Sequence, residues 1–294
     1  MRALVVGAGG FVGGYLCQAL AESGHQVWGT YHRRHRPGLL PLDIVDREAT
    51  GALVARVRPD VILHPAAMPD VERCEAFPLE SYQVNVTGLG HILDAANAAG
   101  ARLIHFSSEY VFDGLAGPYS ENDTPNPLSA YGRQKLTGEK LVLGRAPDAL
   151  IVRTTVVYGW ERRVRNFAGR VIAELRAGRP VKAPRDQVSS PTYVADLAQI
   201  TCELATRGAS GLCHVAGAER ADRYTFALVV AEIFGLDAGL IIPVFTAELG
   251  QKAPRPLSAG LDVGKLSREL GRAPAGFRDG LARMKREKGR WRTS

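Results

Sequence analysis

Tyr131 and Lys135 lie four residues apart in a stretch of helical composition, Tyr131–Leu143. That spacing puts both side chains on one face of a helix. A free tyrosine titrates at about 10 and is a poor acid or base at neutral pH. A neighbouring ammonium stabilises the phenolate and is expected to lower that value. Such a pair can pass a proton to the alkoxide that forms when hydride reaches a carbonyl carbon. Upstream, Ser107-Ser108-Glu109-Tyr110 follows the apolar run Arg102–Phe106. A serine hydroxyl at the carboxyl end of a strand can hold the carbonyl oxygen in place. A lone YxxxK pattern arises by chance. Its position after the serines gives it weight.

A second group of residues points to the source of the hydride. The apolar run Ala3–Val6 leads into Gly7-Ala8-Gly9-Gly10-Phe11-Val12-Gly13, a GxxGxxG pattern opening a helical stretch. Gly7 permits a tight turn, Gly10 lets a pyrophosphate approach the backbone, and Gly13 lets helix and sheet pack closely. The helix N-terminus, including Phe11 and Val12, offers unpaired N–H groups and a favourable dipole to phosphates. Strand, glycine turn and helix in this order form the context that dinucleotide binding requires. A strand ending at Thr30 follows about twenty residues later, where NAD sites carry an acid for the ribose hydroxyls. This chain has Tyr31-His32-Arg33-Arg34 there, with no Asp or Glu between Gly24 and Leu42. A guanidinium suits a 2′-phosphate, so the expectation is NADPH in preference to NADH. Arg33 and Arg34 also fit as plain loop charges. Asp43, followed by Ile44, is either an acceptor for the adenine amino group or a turn residue.

The elements that must position these residues alternate along the first half. Apolar runs at Ala3–Val6, Gln26–Thr30, Val61–His64 and Arg102–Phe106 are separated by helical stretches at Phe11–Ser23, Arg47–Val57 and Ser81–Ala99. A further strand, Ala149–Val157, follows Tyr131–Leu143. This alternation predicts βαβ units and a parallel sheet. Gly24 and Gly100 suit helix C-termini, and Asp46 suits an N-cap. Gly114–Leu128, rich in Gly, Pro, Asn and Asp, reads as a long loop where such folds place active-site loops. Beyond it, Arg165–Ala177, Val194–Thr206 and Tyr224–Phe234 read as helices and Leu212–Ala216 as a strand. The expected class is α/β: a Rossmann-type doubly wound parallel sheet with a smaller, discontinuous C-terminal substrate lobe. Residues 1–160 are assigned to the dinucleotide domain, with part of 184–220 returning to it, and 161–294 mainly to the substrate lobe.

Composition narrows the class further. The net charge of +7 reads mainly as a solubilising surface, since no nucleic-acid-binding motif accompanies it. The basic tail Arg283–Arg292 reads as a solvated last turn. The scattered Cys17, Cys74, Cys202 and Cys213, and histidines without ligand spacing, point away from disulfides and metal sites. The absence of a transmembrane run or signal-like N-terminus leads to the expectation of a cytoplasmic protein with no membrane partner.

With these motifs in view, the chain resembles the extended short-chain dehydrogenase/reductases, and within them the dTDP-4-dehydrorhamnose reductase family. The matching segments run across nearly the whole chain: GAGGFVG (7–13), LDIVD (42–46), PDVILHPAAMPDVERCE (59–75), YQVNVTG (82–88), FSSEYVFDG (106–114), PLSAYGRQKLTGE (127–139), VRTTVVYG (152–159), RDQVSSPTYVADLA (185–198) and RPLSAGLD (255–262). The resemblance implies a catalytic trio of Ser108, Tyr131 and Lys135, with Lys135 also reaching the nicotinamide ribose. It implies that Ile44, Ala66, Ala67, Met68 and Ser107 line the cofactor and that Asn85 is the family's structural asparagine. Substrate contacts would come from Asp70, Val71, Ser108, Glu109, Tyr131, Asn166 and Arg255.

The same resemblance implies an NADPH-dependent reductase of a nucleotide-linked 4-keto-6-deoxy sugar, with room for a homodimer. Three departures bear on the sugar more than the reaction. Ser108-Glu109 stands where relatives commonly have Thr-Asp, Val156 where many have Trp, and Met68-Pro69 where an aromatic-Thr pair is usual. Two other readings share the scaffold. One is a nucleotide-sugar epimerase or dehydratase. The other is a non-catalytic NADP-binding subunit like the regulatory subunit of methionine adenosyltransferase.

Overall fold

A computed structural model describes residues 1–287 and resolves the chain into two compact units. The first comprises residues 1–111, 125–153 and 198–213; the second, 112–124, 154–197 and 214–294, of which the last seven lie outside the described residues. Against the expected boundary at residue 160, residues 112–124 and 154–160 belong to the second unit, and the returning segment is 198–213. Val156 gives the boundary after β6 its physical cause: it takes φ 41°, a left-handed conformation costly for a β-branched residue, and ends the extended run. The expected strand Ala149–Val157 is therefore two strands in different sheets.

The first unit is built on β1 (Arg2–Val5), α1 (Phe11–Glu22), β2 (Gln26–Tyr31), β3 (Leu40–Pro41), α2 (Arg47–Val57), β4 (Val61–His64), α3 (Val71–Ala76), α4 (Pro78–Tyr82), α5 (Gly88–Ala99), β5 (Arg102–Ser108), α6 (Ala130–Arg145) and β6 (Leu150–Thr154). Its seven-stranded sheet runs Gly211–His214, β6, β5, β4, β1, β2, β3. The pairs β1–β2, β1–β4, β4–β5 and β2–β3 are parallel. The order reverses between β1 and β4, the switch point of a doubly wound Rossmann sheet, outside whose carboxyl edge ligands bind. β4 is buried throughout, which explains its unbroken apolar reading. Leu4, Val6, Ile62, Leu89, Ile92, Leu103 and Ile151 join one core. Asp46 caps α2, accepting from the Ala49 N–H at 2.9 Å.

Where one helix was expected over Ser81–Ala99, the chain forms α4, a π-helical turn at Gln83–Thr87, and α5. α3 has no counterpart among the expected helices; at six residues it is too short to show an apolar period.

In the second unit, helices Phe167–Arg176 and Arg223–Phe234 pack with short paired strands. Val157–Tyr158 pairs with Thr192–Tyr193, and Val181–Pro184 with Ile241–Val244. Phe226, fully buried, packs its ring against Tyr158 and Phe277, with centroids 5.2 and 5.6 Å away. The segment 110–114 continues into residues that pair with the expected RPLSAGLD block: the Gly117 N–H donates to the Ser258 carbonyl and that of Asp262 to Tyr119, at 3.0 and 2.7 Å. The helix at Phe277–Arg286 contains the start of the basic tail, and Lys288–Arg292 lies outside the described residues.

Candidate functional site

The glycine turn sits at the carboxyl end of β1, at the switch point. Gly7 has φ +96°, and a Cβ there would come within 3.0 Å of Ala66 backbone. A Cβ on Gly13 would lie 2.2 Å from the Gly7 carbonyl oxygen, so α1 can approach the turn only without one. Thr30 pins the turn to β2: its hydroxyl accepts from the Gly7 N–H and its carbonyl from that of Gly9, both at 3.0 Å. Gly10 is the N-cap of α1, with no side-chain cap and no acid in the first turn. Tight glycines, an N-terminus uncapped by any side chain and the absence of a competing carboxylate fit a dinucleotide pyrophosphate.

Just after β2, Arg33 and Arg34 are exposed, whereas Arg36 is half-buried and its Cγ lies 3.7 Å from where a Gly9 Cβ would stand. Arg36 is thus the guanidinium stem packed on the turn, a residue that sequence reading passed over because composition does not reveal which arginine of a basic run folds back. Tyr31 touches Gly9 from the same side. Asp43 is half-exposed, accepts from the Val45 N–H at 3.0 Å and pairs with His32 at 3.3 Å. Ile44 points into the core against Gly88, so a cofactor contact from it would be through backbone.

Asn85 has a definite structural task. From the π-helical turn its carboxamide accepts from the Met68 N–H at 2.8 Å and donates to the Met68 carbonyl at 3.2 Å and to Gln134 at 2.9 Å. It fixes the Ala66-Ala67-Met68 backbone beside the glycine turn. Asp70 and Val71 open α3, with Asp70 as its N-cap, accepting from the Arg73 N–H at 3.0 Å.

α6 presents Tyr131 and Lys135. Ser129 is its N-cap, and Glu75 of α3 accepts from the Ala130 N–H at 2.7 Å. Gly132 lets the helix seat against the end of β5: a Cβ there would be 2.1 Å from the Tyr110 carbonyl oxygen. Sequence reading also missed this residue, although its place directly after Tyr131 was visible. Tyr131 packs edge-on to Tyr110, with centroids 5.6 Å apart, and the nearby Ser108 side chain favours its phenolate. Ser107 faces elsewhere, donating to Glu139 Oε1 at 2.5 Å. The structure therefore brings Ser108, not Ser107, to Tyr131.

Lys135 is buried and donates to the Phe106 carbonyl at 2.9 Å, with Nζ 5.8 Å from the centre of the Tyr131 ring. The expectation that its charge lowers the tyrosine pKa is corrected. Burial holds the phenol above its ordinary value, the nearby Tyr110, Cys74 and Glu109 act the same way, and the Ser108 side chain acts against them. Glu109 itself is 2% exposed. Tyr131 is thus kept protonated, the form a proton donor needs. Burial also pushes Lys135 down, to about 8.

The remaining expected substrate residues lie in the second unit. Asn166 is the N-cap of its helix, accepting from the Gly169 N–H at 3.0 Å and donating to Gly159 and Glu161, so its carboxamide already has a structural role. Arg255 is half-buried at the head of the segment paired with residues 114–119. Among the described residues, no cluster of His, Cys, Asp and Glu could hold a metal ion, and no helix is long and apolar enough to cross a membrane.

A serine, tyrosine and lysine gathered at the end of a Rossmann strand define the architecture of extended short-chain dehydrogenase/reductases. Comparison with known proteins specifies the branch. Residues 1–289 match the RmlD substrate binding domain family, and the chain belongs to that family. It is 36% identical over 291 residues to the "Probable low-salt glycan biosynthesis reductase Agl14" of Haloferax volcanii, covering 97% of each chain. It is 34% identical to methionine adenosyltransferase 2 subunit beta of Rattus norvegicus, covering 90% of this chain and 81% of that one. The crystal structure of dTDP-4-dehydrorhamnose reductase from Bacillus anthracis in complex with NADP superposes with a TM-score of 0.89 at 28% identity, covering 97% of this chain and 99% of that one.

Proposed function

We propose that the chain is an NADPH-dependent reductase of a nucleotide-linked 4-keto-6-deoxy sugar. The observation that carries this reading is the buried Ser108–Tyr131–Lys135 cluster beside a glycine turn with basic residues in place of an acid. NADPH, when bound, supplies the hydride. Ser108 holds the carbonyl oxygen, and Tyr131, protonated because it is buried, donates the proton. Lys135 orients the ribose and carries positive charge next to the developing oxyanion. The Bacillus anthracis relative binds NADP, and the Haloferax relative is described as a glycan biosynthesis reductase, which supports the same chemistry here. The direct test is NADPH consumption across a panel of nucleotide-linked 4-keto sugars. No turnover with any of them, despite NADPH binding, would favour the second reading. That reading, a binding subunit, is prompted by the methionine adenosyltransferase relatives.

Two predictions belong to this reading. Arg36→Ala should weaken NADPH by roughly 1.5–3 kcal/mol, the size of a lost charge-assisted hydrogen bond, and leave NADH nearly unchanged. Arg33→Ala/Arg34→Ala, at exposed positions, should cost less. Fluorescence titration with both cofactors checks this, and equal loss of NADPH and NADH would remove the 2′-phosphate role. The second concerns Arg255, whose backbone is restricted by Pro256 and whose guanidinium can grip a diphosphate in bidentate fashion. Arg255→Ala should raise KM for the nucleotide sugar well beyond any change in NADPH affinity, and matter little for a small uncharged ketone. Steady-state kinetics on both substrates decides it: equal losses would mean that Arg255 supports the fold.

A further inference from the structure

One helical turn beyond Lys135, on the same face of α6, stands Glu139. Arg153 of β6 grips its carboxylate at two points, with Nε 2.8 Å from Oε1 and Nη2 2.6 Å from Oε2. Each side chain is 3% exposed. Oε1 also accepts the hydroxyl of Ser107. Exchanging a buried ion pair for apolar side chains is often neutral or stabilising, so stability alone does not account for this one. Its connections suggest what does. Ser107 and Ser108 are consecutive strand residues and project to opposite faces. A Ser107 tied to Glu139 therefore sets the rotation of the chain that turns Ser108 toward Tyr131.

Lys135 stands one helical turn from this carboxylate, which acts on it through its charge. The groups that face it are Tyr131 and Glu139 from its own helix, His64 from β4, His105 from β5 and Cys74 from α3. The two imidazoles lie together, Nδ1 to Nδ1 at 3.3 Å. Burial, and then Lys135 itself, hold both in the neutral form, His64 pushed down to about 3. Burial works against the charge of Lys135, and the nearby Glu139 carboxylate is the strongest influence in its favour.

We propose that Glu139 is a positioning residue for proton transfer: anchored by Arg153, it locks Ser107 so that Ser108 meets Tyr131, and it keeps Lys135 an ammonium. The inference rests on the reductase reading for its activity readout only. Glu139→Gln leaves Arg153 charged and buried, so the double variant Glu139→Gln/Arg153→Met, which removes both charges, is measured beside it. The 13Cε shift of Lys135 is followed through a pH titration of lysine-labelled protein, assigned with Lys135→Met, and is compared with the pH profile of kcat/KM.

The midpoint of Lys135 should fall by about one pH unit or more in Glu139→Gln, the usual effect of losing an adjacent opposite charge, and by less in the double variant, which also removes the Arg153 cation. The alkaline limb of kcat/KM should shift down with it. Ser107→Ala loses only a hydroxyl and should fold. It should lower kcat about tenfold, the lower end of what misplaced groups cost, and leave the Lys135 midpoint in place. A folded Glu139 variant with the wild-type Lys135 midpoint, or Ser107→Ala with wild-type kcat, would overturn the proposal. If the wild-type protein reduces no nucleotide sugar, the reductase reading fails, while the Lys135 titration still decides this inference.

Discussion

Tyr131→Phe is expected to lower kcat at least about a hundredfold, the usual scale of general acid catalysis, with NADPH affinity close to wild type. The substitution removes one oxygen and keeps the ring that packs edge-on against Tyr110. Ser108 is the side chain that acts on that oxygen in favour of its ionised form. The effect should therefore fall on the step in which the substrate oxygen takes its proton. Burial keeps the phenol protonated well past neutral pH, so loss of its proton is not what limits the reaction at alkaline pH. Lys135, pushed down to about 8, loses its charge first. The wild-type kcat/KM should hold below that value and decline above it. Steady-state kinetics over a pH series and a fluorescence titration with NADPH check both statements. A Tyr131→Phe protein that turns over at the wild-type rate would exclude the cluster from the chemistry.

The second large effect is expected from a residue that carries no functional group. Gly132→Ala would place a methyl 2.1 Å from the Tyr110 carbonyl oxygen, a backbone atom that cannot swing aside. Either α6 lifts or the end of β5 retreats, and both movements separate Tyr131 from Ser108. Overpacking of this kind costs about 1–3 kcal/mol of stability. The functional loss should be larger, because a displacement of about 1 Å in a reacting constellation can cost roughly a hundredfold in rate. The expected outcome is a folded protein, somewhat lower in Tm, with kcat reduced about a hundredfold and NADPH affinity changed little. Calorimetry and kinetics on the same preparation test it. An unimpaired kcat would mean that the packing of α6 on Tyr110 does not set the Tyr131–Ser108 contact.

By itself, the sequence determined most of the first unit's strands and helices and the motifs of the site, but not α3 or the π-helical break after α4. β4 is recognisable as Val61–His64 because a parallel strand buried on both faces is apolar at every position. The glycine turn is recognisable because only glycine accepts its φ and its close contacts, and those demands act on neighbouring residues. Tyr131 and Lys135 were legible for the same reason: a helical period relates them. Long-range choices were not. Residue types do not decide between Ser107 and Ser108; a carboxylate that α6 carries to the end of β5 does. They do not distinguish Arg36 from Arg33 and Arg34, because the difference is which stem folds onto Gly9. The sign of the Tyr131 shift depends on how deeply the ring is buried among Tyr110, Cys74 and Glu109, residues that α3, β5 and α6 bring together only once the sheet has formed. Local geometry is written in neighbouring residues, whereas burial and orientation belong to the packed whole.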